Sequence, residues 1–422
     1  MRLAGAGRQL VRSFLVSTSS MGQHSVLGTT ITATVSSLAL HAQGKSHVLV
    51  NTRQYGSSRP AGSGKDEANM ASNPILLSAP QAAQVRAQGA HYTHTADTSI
   101  TLATSSNCST PSPAFPSLDQ LNNIMAQSAA GPSSPKIVFV DGSYHMNKAR
   151  HASEEYLAEH IPGARFFDID RVCDSTIPLP HMVPTEPRWR EEMAALGIRE
   201  QDHVVVYTHA GAMSGPRVWY LFNAFGHKKI SLLNGGLPAW KQAGGALAVM
   251  TAEDASHAQA AHAAQAQLGT RPAETWQLKR QFVADKNDVR RAMETGGAQI
   301  LDARASARFN GTAPEPREGL VSGCIPGSLN LPYTAFVVGD DTTAFRSKAE
   351  IRDTLKEAGV VFGSTVISSC GSGVTACYAA VGLSLIGRPL SDIPVYDGSW
   401  SEWGVPQNGL PKLTKDGVID ES

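Results

Sequence analysis

The chain has 422 residues, enough for two or three domains, and 36 Lys and Arg offset 36 Asp and Glu. That balance leaves no global basic field of the kind nucleic acid attracts, and no apolar run is long enough to span a bilayer. Five scattered cysteines, Cys108, Cys173, Cys324, Cys370 and Cys377, argue against a disulfide framework and for a reducing compartment, and no paired CxxC suggests structural zinc.

From residue 1 to about 135 the sequence is rich in Ser, Ala, Thr, Gly and Gln and poor in aromatics, with little periodicity. Such a segment buries too little apolar surface to offset its ordering entropy, so a disordered extension is expected over 1–135. Its start carries Arg2, Arg8 and Arg12, with no acidic residue before Asp66. That is the composition of an organellar transit peptide, with mitochondrion the first choice over plastid or cytoplasm.

An internal repeat follows. Ile137-Val-Phe-Val ending in Asp141 matches Ile300-Leu301 ending in Asp302, and His160-Ile-Pro-Gly-Ala matches Cys324-Ile-Pro-Gly-Ser. The apolar run Val204-Val-Val-Tyr-Thr matches Thr365-Val-Ile-Ser-Ser. Each run leads through a Gly-containing loop into an apolar helix, Pro216–Phe225 and Val374–Ile386, stopped at Gly226 and Gly387. Each half closes on a Gly-and-Trp turn, at Asn234–Trp240 and Asp397–Trp403. Short apolar strands alternating with helices predict an α/β fold in which each unit is a parallel sheet flanked by helices. The expected boundaries are 136–243, a linker over 244–280 with a solvated Ala/His/Gln-rich insertion, 281–410, and a tail over 411–422.

The second unit holds Ser368-Ser-Cys-Gly-Ser-Gly-Val-Thr-Ala-Cys377: a strand end, a cysteine, a Gly-rich loop and a helix start. Sites form at the carboxyl ends of parallel strands, where Cys370 stands. Gly371 and Gly373 allow a curl in which the N–H groups from Gly371, Ser372, Gly373, Val374 and Thr375 face inward. With the helix N-terminus they make an anion cradle that favours a thiolate. The corresponding first-unit loop, Thr208–Pro216, has no cysteine, so that unit is expected to be catalytically inactive and to shape the site. Cys377 falls inside the helix, where packing is its expected role.

The duplicated unit, the paired Ile-Pro-Gly segments and the terminal Gly-Ser-Trp-Ser-Glu-Trp resemble the rhodanese family. The loop Cys370–Cys377 is similar to that of its 3-mercaptopyruvate sulfurtransferase branch. The resemblance spans roughly 136–407 and implies two tandem rhodanese-like domains with the cleft between them. It implies that Cys370 carries sulfur as a covalent persulfide, with no metal or organic cofactor. It also implies that Arg308 and Arg317 clamp the donor, and that Asp170, His181 and Ser372 form a hydrogen-bonded relay across the cleft. The implied donor is 3-mercaptopyruvate; the implied acceptors are thioredoxin, other small thiols or cyanide. Thiosulfate-using relatives place basic residues where this chain has neutral Gly371 and Ser372, which disfavours a doubly charged donor, while arginine pairs suit a keto acid carboxylate.

A thiosulfate-preferring enzyme with the same nucleophile remains the alternative. A Cys-loop phosphatase would carry arginine where Thr375 stands, and a non-catalytic binding module would not need an intact cysteine loop. One departure from the family pattern is Cys324, where relatives commonly have His; it is expected to alter packing and to add an oxidisable thiol.

Overall fold

The computed structural model describes residues 76–78, 135–267 and 275–419. The transit-peptide expectation lies outside the described residues. Each repeat forms a five-stranded parallel sheet. Across the first the strand order is Leu76–Ser78, Ile230–Asn234, His203–Tyr207, Ile137–Asp141 and Arg165–Phe166. Across the second it is Val283–Ala284, Val395–Tyr396, Thr365–Ser369, Ala298–Asp302 and Leu329–Asn330. The central strands read as apolar runs because both faces are covered: Val204, Val206, Val366 and Leu301 are buried in the main core, Val205 and Ile367 in the cores on the opposite faces.

Helix ends follow local chemistry. Asp285 and Ser347 each close a capping box, with Asp288 and Glu350 respectively. Gly226 and Gly387 take left-handed φ of 85° and 93° just past the two apolar helices, which span Gly215–Ala224 and Ala376–Leu385. These two helices, related by the repeat, pack against each other.

Three boundaries are corrected by the structure. Within the extension expected to be disordered, Leu76–Ser78 is a strand paired in parallel with Ile230–Asn234, because the outer strand of the first sheet offers open backbone groups. The Ala/His/Gln-rich linker contains a helix over Ala252–Gln267 that packs against Glu186–Leu196; alanine is the strongest helix former, and many of its described side chains stay exposed. The expected tail instead folds as a hairpin, Lys412–Thr414 with Gly417–Ile419, and the backbone of Leu413 exchanges two hydrogen bonds with Cys324.

Two core histidines give the first repeat an acid sensitivity. His203 contacts Ser231 Oγ at 2.8 Å, and His227 contacts the Asp202 carbonyl at 3.0 Å while stacking on Trp276. Burial chiefly pushes both down to about 4 from 6.5. Both are therefore neutral when folded, whereas the unfolded chain takes up protons below pH 6.5. Stability is present above that value and is lost as pH falls toward 4, by about 2 kcal/mol for each histidine at pH 5. Urea unfolding between pH 7 and 5 should show this slope, and His203→Gln should remove about half of it. An unchanged slope in that variant would reject the assignment.

Candidate active site

Cys370 follows the strand Thr365–Ser369 and is only 1% exposed. The terminal Gly-Ser-Trp-Ser segment pins its loop. Ser399 Oγ accepts from the N–H groups of Cys370 and Gly373, each at 3.1 Å; the Cys370 carbonyl accepts from Trp400, and the Gly371 carbonyl accepts from both the N–H and the hydroxyl of Ser401. The N–H of Gly373 is thus engaged and is not a cradle donor, contrary to expectation; this glycine supplies curvature through a φ of 72°. Among the described residues, the N–H groups of Gly371, Ser372, Val374 and Thr375 meet no protein acceptor, which leaves them open to an anion. The helix behind them starts at Ala376.

Gly371 does not need glycine for its dihedral angles. A Cβ there would lie 3.2 Å from Arg308 Nη2 and 3.6 Å from Arg317 Nη1. Two guanidinium groups therefore converge on the residue beside the cysteine. Arg308 is held by Glu315, and the same buried carboxylate binds Arg304 at 2.8 Å. Arg304 in turn grips Asp302 through two nitrogens and lies over the Trp400 ring. Arg317 Nη2 contacts Ser372 Oγ at 3.3 Å.

Ser372 joins the two repeats. Its Oγ is 3.1 Å from His181 Nδ1, and His181 Nε2 is 2.8 Å from Asp170 Oδ1. Arginine can only donate and an ionised carboxylate can only accept, which orients the network. Arg317 donates to Ser372, the Ser372 hydroxyl donates to His181 Nδ1, and His181 Nε2–H donates to Asp170. That last bond, the largest cause ahead of partial burial, holds the Asp170 carboxyl below its usual range. His181 itself sits at φ 59°, and the Tyr144 ring meets its imidazole edge-on at 5.0 Å. Burial and the nearby Asp170 charge raise the Tyr144 phenol.

The structure thus brings together Cys370, Ser372, His181, Asp170, Arg308 and Arg317. Sequence reasoning missed Glu315, Ser399, Tyr144, Arg217 and Asp397. Arg217 carried a signal, as the one charge in a mostly apolar helix, where it ion-pairs with Asp397 at 2.7 Å, and Asp397 and Ser399 lie in the closing Gly-and-Trp turn. The first-unit loop carries His209, 3.0 Å from Asp141 Oδ2, in place of a nucleophile. Cys377 is packed in its helix with Sγ toward the Gly373 carbonyl, and burial pushes its thiol up to about 12. Cys324 is 3% exposed and pushed up to about 11, first by burial and then by the Asp302 charge. The expected oxidisable thiol at that position is therefore shielded and largely protonated at neutral pH.

The mouse 3-mercaptopyruvate sulfurtransferase is 39% identical over 275 residues, covering 64% of this chain and 86% of the mouse protein. An Arabidopsis thaliana relative named thiosulfate/3-mercaptopyruvate sulfurtransferase 1, mitochondrial, is 39% identical over 285 residues, 66% of this chain and 74% of its own. The solved Escherichia coli 3-mercaptopyruvate sulfotransferase SseA superposes with a TM-score of 0.53 at 32% identity, over 66% of this chain and 97% of that one. The model of the rhodanese-like domain matches residues 148–243 and 285–405, one stretch in each repeat. With one such match in each repeat, the chain belongs to the rhodanese-like domain family.

Proposed function

We propose that the protein is a sulfurtransferase that takes sulfur from 3-mercaptopyruvate onto Cys370 and passes it to a thiol, such as thioredoxin, or to cyanide. The observation that carries this reading is the convergence of Arg308 and Arg317 on Gly371, beside the cysteine and in reach of Ser372. Two guanidiniums suit the carboxylate and carbonyl of a keto acid. The Cys370 thiolate attacks the donor sulfur, and the carbon–sulfur bond breaks with its electron pair passing to the enolate of pyruvate. The proton released from the donor thiol as the persulfide anion forms is taken by His181 Nδ1, and Ser372 relays a proton from that imidazolium to the enolate carbon, with Asp170 stabilising the imidazolium. The persulfide left on Cys370 lies against the open N–H groups of Gly371, Ser372, Val374 and Thr375. An acceptor then attacks the outer sulfur and restores the thiolate.

A mitochondrial location is part of the proposal, supported by the arginine-bearing, acid-poor start of the chain and by the name of the Arabidopsis relative.

The test is steady-state turnover of the full chain with 3-mercaptopyruvate and with thiosulfate. A strong preference for mercaptopyruvate supports the reading, and a preference for thiosulfate rejects the donor assignment while leaving the nucleophile. Gly371→Arg with Ser372→Lys should shift the ratio toward thiosulfate by roughly tenfold or more, since the new side chains displace both guanidiniums and raise the local charge. A ratio that stays put would show that donor choice lies elsewhere.

A further inference from the structure

Arg217 is fully buried, belongs to the first repeat and touches neither Cys370 nor the relay side chains directly. Its Nη2 donates to Asp397 Oδ1 at 2.7 Å and to the His181 carbonyl at 2.6 Å, while Nη1 reaches the Gly373 carbonyl at 3.4 Å. The other oxygen of Asp397 accepts from the N–H of Val183 at 2.6 Å. One ion pair therefore holds the backbone on both sides of Met182, in the first repeat, together with the nucleophile loop of the second.

That placement bears on the relay. His181 and Ser372 come from segments 191 residues apart, and their 3.1 Å contact depends on how those segments are registered. His181 also occupies a left-handed φ, sparsely populated by residues other than glycine and kept only where the surroundings over-determine it. The Arg217 and Asp397 contacts to residues 181 and 183 provide that constraint. Neighbours of Arg217 on the helix, Val218, Trp219 and Leu221, are buried and apolar. An apolar side chain would avoid the desolvation of a buried charge there, so stability alone does not account for the arginine.

We propose that Arg217 and Asp397 are a positioning pair, which sets the His181–Ser372 contact by fixing the backbone at residues 181, 183 and 373. This rests on the relay reading of Asp170, His181 and Ser372. The experiment measures pyruvate release from 3-mercaptopyruvate by the full chain carrying Arg217→Lys or Asp397→Asn, each with His181 intact and with His181→Ala. Lysine keeps a charge beside Asp397 but cannot bridge three carbonyl and carboxylate partners in one plane. Arg217→Lys should lower kcat about tenfold with KM within about twofold, and in the His181→Ala background it should change kcat less than about twofold.

An unchanged kcat with His181 intact, or the same loss in both backgrounds, would overturn the proposal. So would failure of both variants to fold, since the pair would then hold the fold and not the relay. If His181→Ala alone matches the unmodified protein, the relay reading itself falls, an outcome distinct from an equal loss in both backgrounds.

Discussion

Cys370→Ser should reduce pyruvate release from 3-mercaptopyruvate by at least about a thousandfold, because a serine hydroxyl at neutral pH is a far weaker nucleophile than a thiolate. The geometry allows no substitute. Cys377, across the loop in the first turn of the following helix, has its thiol raised to about 12 by burial and its Sγ directed to the Gly373 carbonyl. Cys377→Ala should therefore keep most of the turnover. Intact-mass measurement after exposure to donor should find one added sulfur on the unmodified protein and on Cys377→Ala, and none on Cys370→Ser. A sulfur retained by Cys370→Ser would place the carrier elsewhere and sink the assignment.

Removing the imidazole should have the next largest effect. His181→Ala is expected to lower kcat by roughly a hundredfold to a thousandfold, the range for losing a positioned proton-transfer group. KM for mercaptopyruvate should hold nearly steady, since Arg308 and Arg317 remain. Asp170→Asn should approach the same loss for a separate reason. An amide can donate to Nε2, which would leave the proton on Nδ1 and turn the wrong group toward Ser372. Because the His181 hydrogen bond holds the Asp170 carboxyl below its usual range, the carboxylate contribution persists above that range and is lost only as pH falls through the lowered value. A rise in KM with kcat unchanged in either variant would mean that these residues bind the donor and do not move its proton.

Much of this site could be read in the sequence because its signals are local. The loop around Cys370 is a continuous stretch whose glycines, strand and helix start all point one way, whereas Arg308 and Arg317 were legible only through the family resemblance of their segment. The repeat was legible for the same reason, since Ile137–Asp141 and Thr365–Ser369 fall where the apolar runs stand. What escaped was meaning that arises only across distance. Asp397 lies 180 residues from Arg217, and nothing near either residue announces the other. Glu315 reads as a surface acid between two prolines until Arg304 and Arg308 close on it. Gly371 was read for its backbone freedom, whereas the structure sets two guanidiniums close beside it. The helix over Ala252–Gln267 was overlooked because solvation was taken for lack of structure, although alanine favours helix whether buried or not.

The strand Leu76–Ser78 limits how far the chain can be shortened from its N-terminal side. It seals one margin of the first sheet by pairing with Ile230–Asn234. A truncation N-terminal to residue 76 leaves that pairing in place. A cut between it and Ile137 strips a row of backbone groups bare and offers them to any extended segment nearby, including the same row on another copy. Any shortening from the N-terminal side that keeps this pairing therefore stops before Leu76, well short of the first central strand.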